Sequence, residues 1–327
     1  MDSHLFQCVP NVSEGRRPEV VDAMADALRA VPGVRLLDHS SDRDHHRSVF
    51  TLVGTADPLR SAMRTLFDLA DRHVDLAHHQ GAHPRIGAVD VVPFVPLAGA
   101  PMEAARVLAR EVAEEVASRF DLPVYLYEES ALRPERRSLA WIRRGGLEAL
   151  AEALATPERA PDLGPARPHP RLGATVVGAR RPLVAFNALL DTADVEVARA
   201  VARRVRERDG GLRSVRALGL FLAERGRAQV SMNLLDPDRT ALYTVLELVR
   251  LEARRYGARV LSTELIGVLP LSVLAEAAAY HLQLEDFGPH RVLESGLLEM
   301  ARREPHPVAG FAEGPASAAP PQEEGRS

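Results

Sequence analysis

Histidines are concentrated in one part of this chain. Seven of the 12 histidines fall between His39 and His83, where arginines and aspartates are interleaved with them. An imidazole titrates near neutrality, so it can accept a proton and later return it. A guanidinium group can hold a carboxylate through two parallel hydrogen bonds. We therefore take this region as the candidate site for acid–base chemistry.

Within that region, His83 is the strongest candidate. It lies in the loop GAHPRIG (81–87), directly before a predicted strand over residues 89–95. Glycines let a backbone approach a ligand closely, and loop residues held by rigid elements often carry function. Arg85 could hold a carboxylate, and Asp90 could orient an imidazole or pair with Arg85. A histidine that only bonds to backbone is the alternative interpretation.

A metal site is a second hypothesis for the same region. His79 and His83 have the i, i+4 spacing of a helical zinc pair, but Gly81 and Pro84 argue against a helix there. A bound metal could activate water for hydrolysis. Aspartates that could add oxygen ligands are Asp38, Asp42 and Asp44. Histidines expected to be ordinary solvated surface residues are His45, His73 and His78.

The composition excludes several classes of chemistry. All 41 basic residues are arginines, so Schiff-base, lysine-bound pyridoxal phosphate and P-loop lysine chemistry are impossible. The net charge of −4 argues against a nucleic-acid partner. A single cysteine, Cys8, excludes an internal disulfide. We see neither an 18-residue apolar run nor a signal peptide, so we expect a cytoplasmic protein without a membrane partner.

The elements that must position these residues follow a repeated order. Apolar periodicity predicts β-α-β-β-α-β in the first half, with strands over 5–9, 34–37, 48–53 and 89–95 and helices over 18–30 and 57–73. The second half repeats that order between residues 183 and 269, and each half is followed by a further helix. This pattern is typical of an α+β protein with duplicated ferredoxin-like lobes. We predict subdomains over 1–178 and 179–303, with the Pro- and Gly-rich stretch 157–178 joining them and a disordered tail over 304–327.

Short motifs distributed along the chain resemble the glutamate formimidoyltransferase family, and together they cover about residues 5–300. The motifs are CVPNVSEG (8–15), HRSV (46–49), GAHPRIGAVDVVPFVP (81–96), PVYLY (123–127), PDLGP (161–165), GAT (173–175), GAR (178–180), AFN (185–187), AQVSMNLLD (228–236) and GVLPL (267–271).

The resemblance implies a homodimeric transferase of histidine degradation, built from two ferredoxin-like lobes. The family moves the formimino group of N-formimino-L-glutamate onto the N-5 nitrogen of tetrahydrofolate, which serves as co-substrate. The family's catalytic histidine falls on His83. In animal relatives the domain is fused to a cyclodeaminase, so we expect another protein to carry out cyclisation here. The loop implied to contact folate comprises Gly164, Pro165, Ala166, Arg167, Pro168, His169, Pro170, Arg171, Leu172 and Gly173, and its 167–172 part replaces a run richer in hydroxyl and aromatic residues.

The implied reaction suits the residues present. One histidine can remove the proton from the attacking nitrogen and then protonate the departing glutamate nitrogen, typically a 10²–10⁴-fold contribution. No metal is required, because an amidinium is already electrophilic. Candidate anchors for substrate carboxylates are Arg47, Arg85 and Arg180. Candidate hydrogen-bonding groups, which could equally be turn or strand-edge structure, are Asn11, Asn187, Gln229 and Asn233.

Two other functions stay open from the sequence. One is a metal-dependent hydrolase built on the Asp/His cluster between Asp38 and His83. The other is a folate-binding protein without transferase activity, and a related variant would use 5-formyltetrahydrofolate.

Overall fold

The computed structural model describes residues 4–82 and 84–303. It separates into a unit that ends at residue 273 and a second unit that begins at residue 274. The strands in the described residues are β1 (Phe6–Cys8), β2 (Asn11–Val12), β3 (Val34–Asp42), β4 (Arg47–Gly54), β5 (Val89–Pro96), β6 (Val124–Leu126), β7 (Thr175–Ala179), β8 (Val184–Leu190), β9 (Val215–Leu222), β10 (Arg227–Leu234) and β11 (Val260–Ile266). The α-helices are α1 (Pro18–Arg29), α2 (Ala56–His73), α3 (Met102–Phe120), α4 (Leu139–Ile142), α5 (Leu150–Leu154), α6 (Val195–Val205), α7 (Leu242–Arg254), α8 (Leu271–Leu282) and α9 (Leu293–Arg303).

The first sheet is mixed and has seven strands. β1 and β2 act as two halves of one interior strand, because both pair with β4 on one side and with β5 on the other. Pro10, which has no N–H to donate, separates them. β3 pairs with the far side of β4, and all these pairs are antiparallel. β7 and then β6 extend the sheet beyond β5 as parallel strands.

The second sheet is wholly antiparallel, with the order β11-β8-β10-β9. Its elements follow the chain order β8-α6-β9-β10-α7-β11. In the first sheet, β1/β2, β3, β4 and β5 take the positions that β8, β9, β10 and β11 take in the second, and α1 and α2 stand at the corresponding points of the chain. This is the strand order of the split βαβ arrangement. The predicted α+β class is confirmed.

Each sheet buries one face beneath its helices. On α1, Met24 and Leu28 are four residues apart and fully buried, and Met63 and Phe67 repeat that spacing on α2. Such spacing places apolar side chains on one side of a helix. Each buried side chain of this size stabilises the fold by about 1.5–3 kcal/mol. The long helices therefore cover one face of each sheet, and part of the opposite face stays available for a site.

The stretch 157–178 ends in a strand that the sequence analysis did not predict. Its last residues form most of β7, a fully buried strand inside the first sheet. A parallel strand buried on both faces has no alternating pattern, and a short apolar run does not by itself distinguish a strand from a buried helix. β3 also extends to Asp42, five residues beyond its predicted end, because polar residues occupy its exposed half.

The second unit contains the remainder of α8 and all of α9. The predicted tail over 304–327 lies outside the described residues, and so does His83. Among the helices that the structure describes, none has the length and apolar character needed to cross a membrane.

Candidate active site

A cleft of about 130 Å³ lies where the two sheets face each other. On the first sheet it is lined by alternate residues such as Gln7, Val9 and Asn11, and on the second sheet by residues such as Ala185 and Asn233. Alternation follows from the two-residue period of a strand, because the intervening side chains point into the helix-covered core. The cleft therefore uses the face of each sheet that the helices leave free.

Four arginines reach into this cleft: Arg47, Arg143, Arg180 and Arg216. Glu128 is the one acidic residue among the described residues that line it, and it pairs with Arg216 at 3.2 Å. Burial lowers the pKa of Arg47 to about 10, and the nearby Arg143 acts in the same direction. Even so, Arg47 stays charged near neutrality. The cleft consequently suits a ligand with more than one negative charge.

Each cleft arginine is held by a different element. Arg47 begins β4, and Arg180 directly follows β7, where its backbone N–H donates to the carbonyl of Phe94 at 2.9 Å. Arg143 ends the short helix α4 and pairs with the buried carboxylate of Asp90. Arg216 belongs to β9 in the second sheet. Strands of both sheets and the short helix α4 thus bring these charges together.

Three predicted contact residues meet in this cleft, namely Asn11, Arg47 and Arg180, and Asn233 joins them. The Asn11 side chain donates to the carbonyl of Val9 at 2.9 Å.

The sequence analysis did not identify three further residues that line the cleft: Arg143, Arg216 and Tyr127. Arg143 and Arg216 carry no local signal that separates them from the chain's other arginines. Burial raises the pKa of Tyr127 to about 12, so its hydroxyl keeps its proton at neutral pH and can donate a hydrogen bond.

Arg85 and Asn187 are placed elsewhere. The Arg85 guanidinium donates to the carbonyl of His79 at 2.7 Å and lies 3.7 Å from Glu148, in a separate hollow. Asn187 is buried in β8 and its amide donates to Glu264 on the neighbouring strand at 3.1 Å. Neither residue lines the cleft.

The chain that follows His83 is held by Asp90. One carboxylate oxygen accepts the backbone N–H groups of Ile86 at 2.7 Å and Gly87 at 3.2 Å. The other oxygen pairs with Arg143. Asp90 therefore pairs with Arg143 and not with Arg85, and it links the loop to the wall of the cleft.

The predicted folate loop, 164–173, lies beside that same stretch of chain. The carbonyl of Leu172 accepts the N–H of Ala88 at 2.9 Å, and Arg167 pairs with Asp121 at 2.5 Å. His169 Nδ1 accepts the N–H of Leu172 at 2.9 Å, which closes the loop on itself. All ten loop residues are described, and none of them lines the cleft between the sheets. Contact with folate stays a prediction for this loop.

The histidine cluster also differs in part from its expectation. His45 is 5% exposed, so its prediction as a solvated surface residue is wrong, and burial lowers its pKa. It lies in the turn between β3 and β4. His79 follows a short 3₁₀ helix (Leu76–His78), and neither residues 79–82 nor residues 84–88 are helical. Within residues 4–82 and 84–303, no three His, Cys, Asp or Glu side chains are grouped as metal ligands.

Comparisons with known proteins identify the family. A model described as the formiminotransferase domain, N-terminal subdomain, matches residues 5–180, and the formiminotransferase domain model matches residues 185–294. The chain belongs to the formiminotransferase domain family.

Its relatives include stand-alone and longer proteins. The chain is 43% identical over 295 residues to the glutamate formimidoyltransferase of Streptococcus pyogenes serotype M1, covering 90% of this chain and 99% of that protein. It is 40% identical over 302 residues to the glutamate formimidoyltransferase of Thermoplasma acidophilum, covering 92% and 99%. It is also 41% identical over 290 residues to the formimidoyltransferase-cyclodeaminase of Mus musculus, covering 86% of this chain and 53% of that protein.

Proposed function

We propose that this protein is a glutamate formimidoyltransferase that moves the formimino group of N-formimino-L-glutamate to the N-5 nitrogen of tetrahydrofolate in histidine degradation. The observation that carries the proposal is the arginine-lined cleft between two sheets in a member of the formiminotransferase family. Both substrates carry carboxylates, and guanidinium groups bind carboxylates with charge-assisted hydrogen bonds. Tetrahydrofolate acts as co-substrate, and the transfer requires no metal because the amidinium carbon is already electrophilic.

In the proposed reaction, His83 moves the protons. The N-5 nitrogen attacks the amidine carbon, and a tetrahedral intermediate forms with positive charge on N-5. His83 accepts the N-5 proton and then donates it to the glutamate nitrogen as that carbon–nitrogen bond breaks. The assignment rests on the family's catalytic position and on the glycine- and proline-framed loop that holds this histidine.

We propose Asn11, Arg47 and Arg180 as substrate contacts, and the structure adds Arg143 and Arg216 as candidates because they line the same cleft. We also propose that Arg85 contacts one end of a substrate in the separate hollow that this arginine lines. Asn187 has less support, since its amide already donates to Glu264. The loop 164–173 is proposed to contact folate where it lies beside residues 86–88.

The experiment is a transferase assay. Purified protein is mixed with N-formimino-L-glutamate and tetrahydrofolate, and 5-formiminotetrahydrofolate is followed with and without a chelator. We expect turnover that needs both substrates and resists the chelator. Hydrolysis without folate that the chelator abolishes would favour a metal-dependent hydrolase. Tight folate binding with no product would favour a binding protein.

We also propose that the protein is a cytoplasmic homodimer. The resemblance to the family supports this proposal. Light scattering tests the assembly, and we expect about twice the chain mass of 35.7 kDa.

A further inference from the structure

His46, the first residue of the HRSV motif, makes three contacts with the segment 79–82. This segment directly precedes His83, the proposed base, in the chain. The His46 Nδ1–H donates to the carbonyl of Gln80 at 3.0 Å. The His79 Nε2–H donates to the carbonyl of His46 at 2.8 Å. The two imidazole rings also stack, with 4.0 Å between centroids and 9° between planes. His46 thus binds this segment through its ring and its backbone.

The backbone beside His46 is equally close to the segment. The N–H of Ala82 donates to the carbonyl of Asp44 at 3.0 Å. A β-carbon added at Gly81 would collide with the carbonyl of His45 and would stand 2.9 Å from the β-carbon of His46. Only glycine fits so close an approach. The turn between β3 and β4 and the segment 79–82 are therefore packed as one piece.

A buried carboxylate lies on the other side of the His46 ring. Glu14 is 2% exposed, and its Oε1 is 3.4 Å from His46 Nε2. Burial alone would raise the pKa of Glu14, but hydrogen bonds from His46, from two backbone N–H groups and from the Arg17 guanidinium hold it well below its usual range. Glu14 is therefore an ionised acceptor near neutrality.

The ring of His46 has an acceptor at each nitrogen, the carboxylate of Glu14 and the carbonyl of Gln80. Together these two contacts orient the side chain of His46. Its backbone φ of 51° is also unusual for a residue other than glycine. Such a conformation persists where surrounding contacts determine it.

We propose that His46 is a positioning residue for the transfer reaction: anchored on Glu14, it fixes the segment 79–82 and thereby the approach of His83 to the substrate. This inference rests on the proposed function, because it concerns the residue assigned there to proton transfer. His46 lines neither the arginine cleft nor the hollow that contains Arg85, so we assign it no direct contact with either substrate. Its loss should then lower kcat and leave KM nearly unchanged.

The test uses His46→Asn and His46→Gly, with His39→Asn as the matched control. Asparagine and glycine both tolerate the left-handed backbone of His46, so the variants remain able to fold. His39 lies on the same hairpin, where its ring stacks on Phe50 and does not contact the segment. The measurements are kcat, KM for both substrates, and hydrogen exchange of the amides of residues 80–82.

We expect both His46 variants to lower kcat by about tenfold or more, because small misplacements of a catalytic group have large effects on rate. KM should stay within about threefold, and the amide of Ala82 should exchange at least about tenfold faster. The His39→Asn variant should match wild type in all three. A folded His46 variant with wild-type kcat, or with unchanged exchange at residues 80–82, overturns the proposal. Absence of transferase activity in wild type would overturn the proposed function instead, and the exchange comparison, which needs no substrate, would still decide whether His46 holds the segment.

Discussion

His79 is buried to 6% exposure, and its environment selects the neutral imidazole. Burial lowers its pKa from 6.5 to about 4; the hydrogen bond to the His46 carbonyl opposes this shift, and the nearby Arg85 guanidinium adds to it. Its Nε2–H donates to a carbonyl, whereas Nδ1 has no hydrogen-bond partner in the described structure. In the stacked pair, the His79 ring is therefore neutral, and the His46 ring has a hydrogen-bond acceptor at each nitrogen.

This pKa predicts an acid-sensitive contribution to stability. As pH falls through 6.5 the unfolded chain takes up a proton at His79, but the folded chain does not until about pH 4. The stabilisation from the neutral His79 ring is thus complete above pH 6.5 and is lost as the pH falls from 6.5 to 4. Between pH 7 and pH 5 the free energy of unfolding should fall by about 1–2 kcal/mol. Urea unfolding at the two pH values measures it. His79→Gln should remove this part of the pH dependence, while His78→Gln, whose ring is 86% exposed, should keep it. Equal pH dependence in wild type and His79→Gln would contradict the lowered pKa.

The proposed proton transfer predicts the effect of replacing His83. His83→Ala should lower kcat by roughly 10²-fold or more, because no other group would then take the N-5 proton. Circular dichroism should show an unchanged fold. His78→Ala, an exposed histidine from the same cluster, serves as control and should keep wild-type turnover. Near-normal turnover in folded His83→Ala would refute the assignment.

Individual site residues were predictable where a motif marked them. Asn11, Arg47 and Arg180 lie in or beside such motifs, and the structure brings all three to one cleft. Arg143 and Arg216 were not predictable, because the chain has 41 arginines and only the packing of distant elements selects these two.

At the scale of elements, close backbone contact between two segments sets the course of the chain after His83. A β-carbon at Gly87 would overlap the carbonyl oxygen of Ala174, which directly precedes β7. Ile86 and Ala174 are joined across this contact by a 2.9 Å backbone hydrogen bond. The position of the loop therefore depends on its approach to the start of β7.

We predict that Gly87→Ala destabilises the protein by about 2 kcal/mol or more, since backbone must move to admit the methyl group. Thermal unfolding measures the loss, and kcat should fall with it because residues 86–88 follow the proposed base. Gly296→Ala on α9 is the control: nothing lies within 4 Å of its added β-carbon, and alanine is favoured in a helix. A Gly87→Ala protein as stable as wild type would show that the contact is not tight.

The elements themselves were predicted unevenly, for a physical reason. α1 and α2 lie within a residue of their predicted ends, because one-sided burial leaves a periodic pattern. β6 and β7 were missed, since both are wholly buried and short. Their pairing joins segments about 50 residues apart, and no local pattern encodes that pairing.

At the scale of the whole molecule, two sheets of similar connectivity meet face to face and concentrate positive charge between them. The chain as a whole carries a net charge of −4. The cleft is nevertheless basic, because four arginines line it; Asp90 pairs with Arg143, and Glu128 pairs with Arg216. Local charge, rather than net charge, determines which ligand such a cleft attracts.

The cleft charge predicts a specific binding defect. Arg216→Gln should raise KM for at least one of the two carboxylate substrates by about tenfold, since a hydrogen bond between charged groups contributes about 1.5–3 kcal/mol. Its kcat should change little, because Arg216 belongs to the second sheet and takes no part in the proposed proton transfer. Arg29→Gln removes the same charge from an exposed ion pair with Asp26 on α1, and it should leave both KM values unchanged.

Salt provides a second measurement of the same cleft charge. Raising the salt concentration should weaken substrate binding to wild type more than substrate binding to Arg216→Gln, because one attractive charge is already absent in the variant. Equal KM values in Arg216→Gln and Arg29→Gln would mean that Arg216 does not bind a substrate carboxylate.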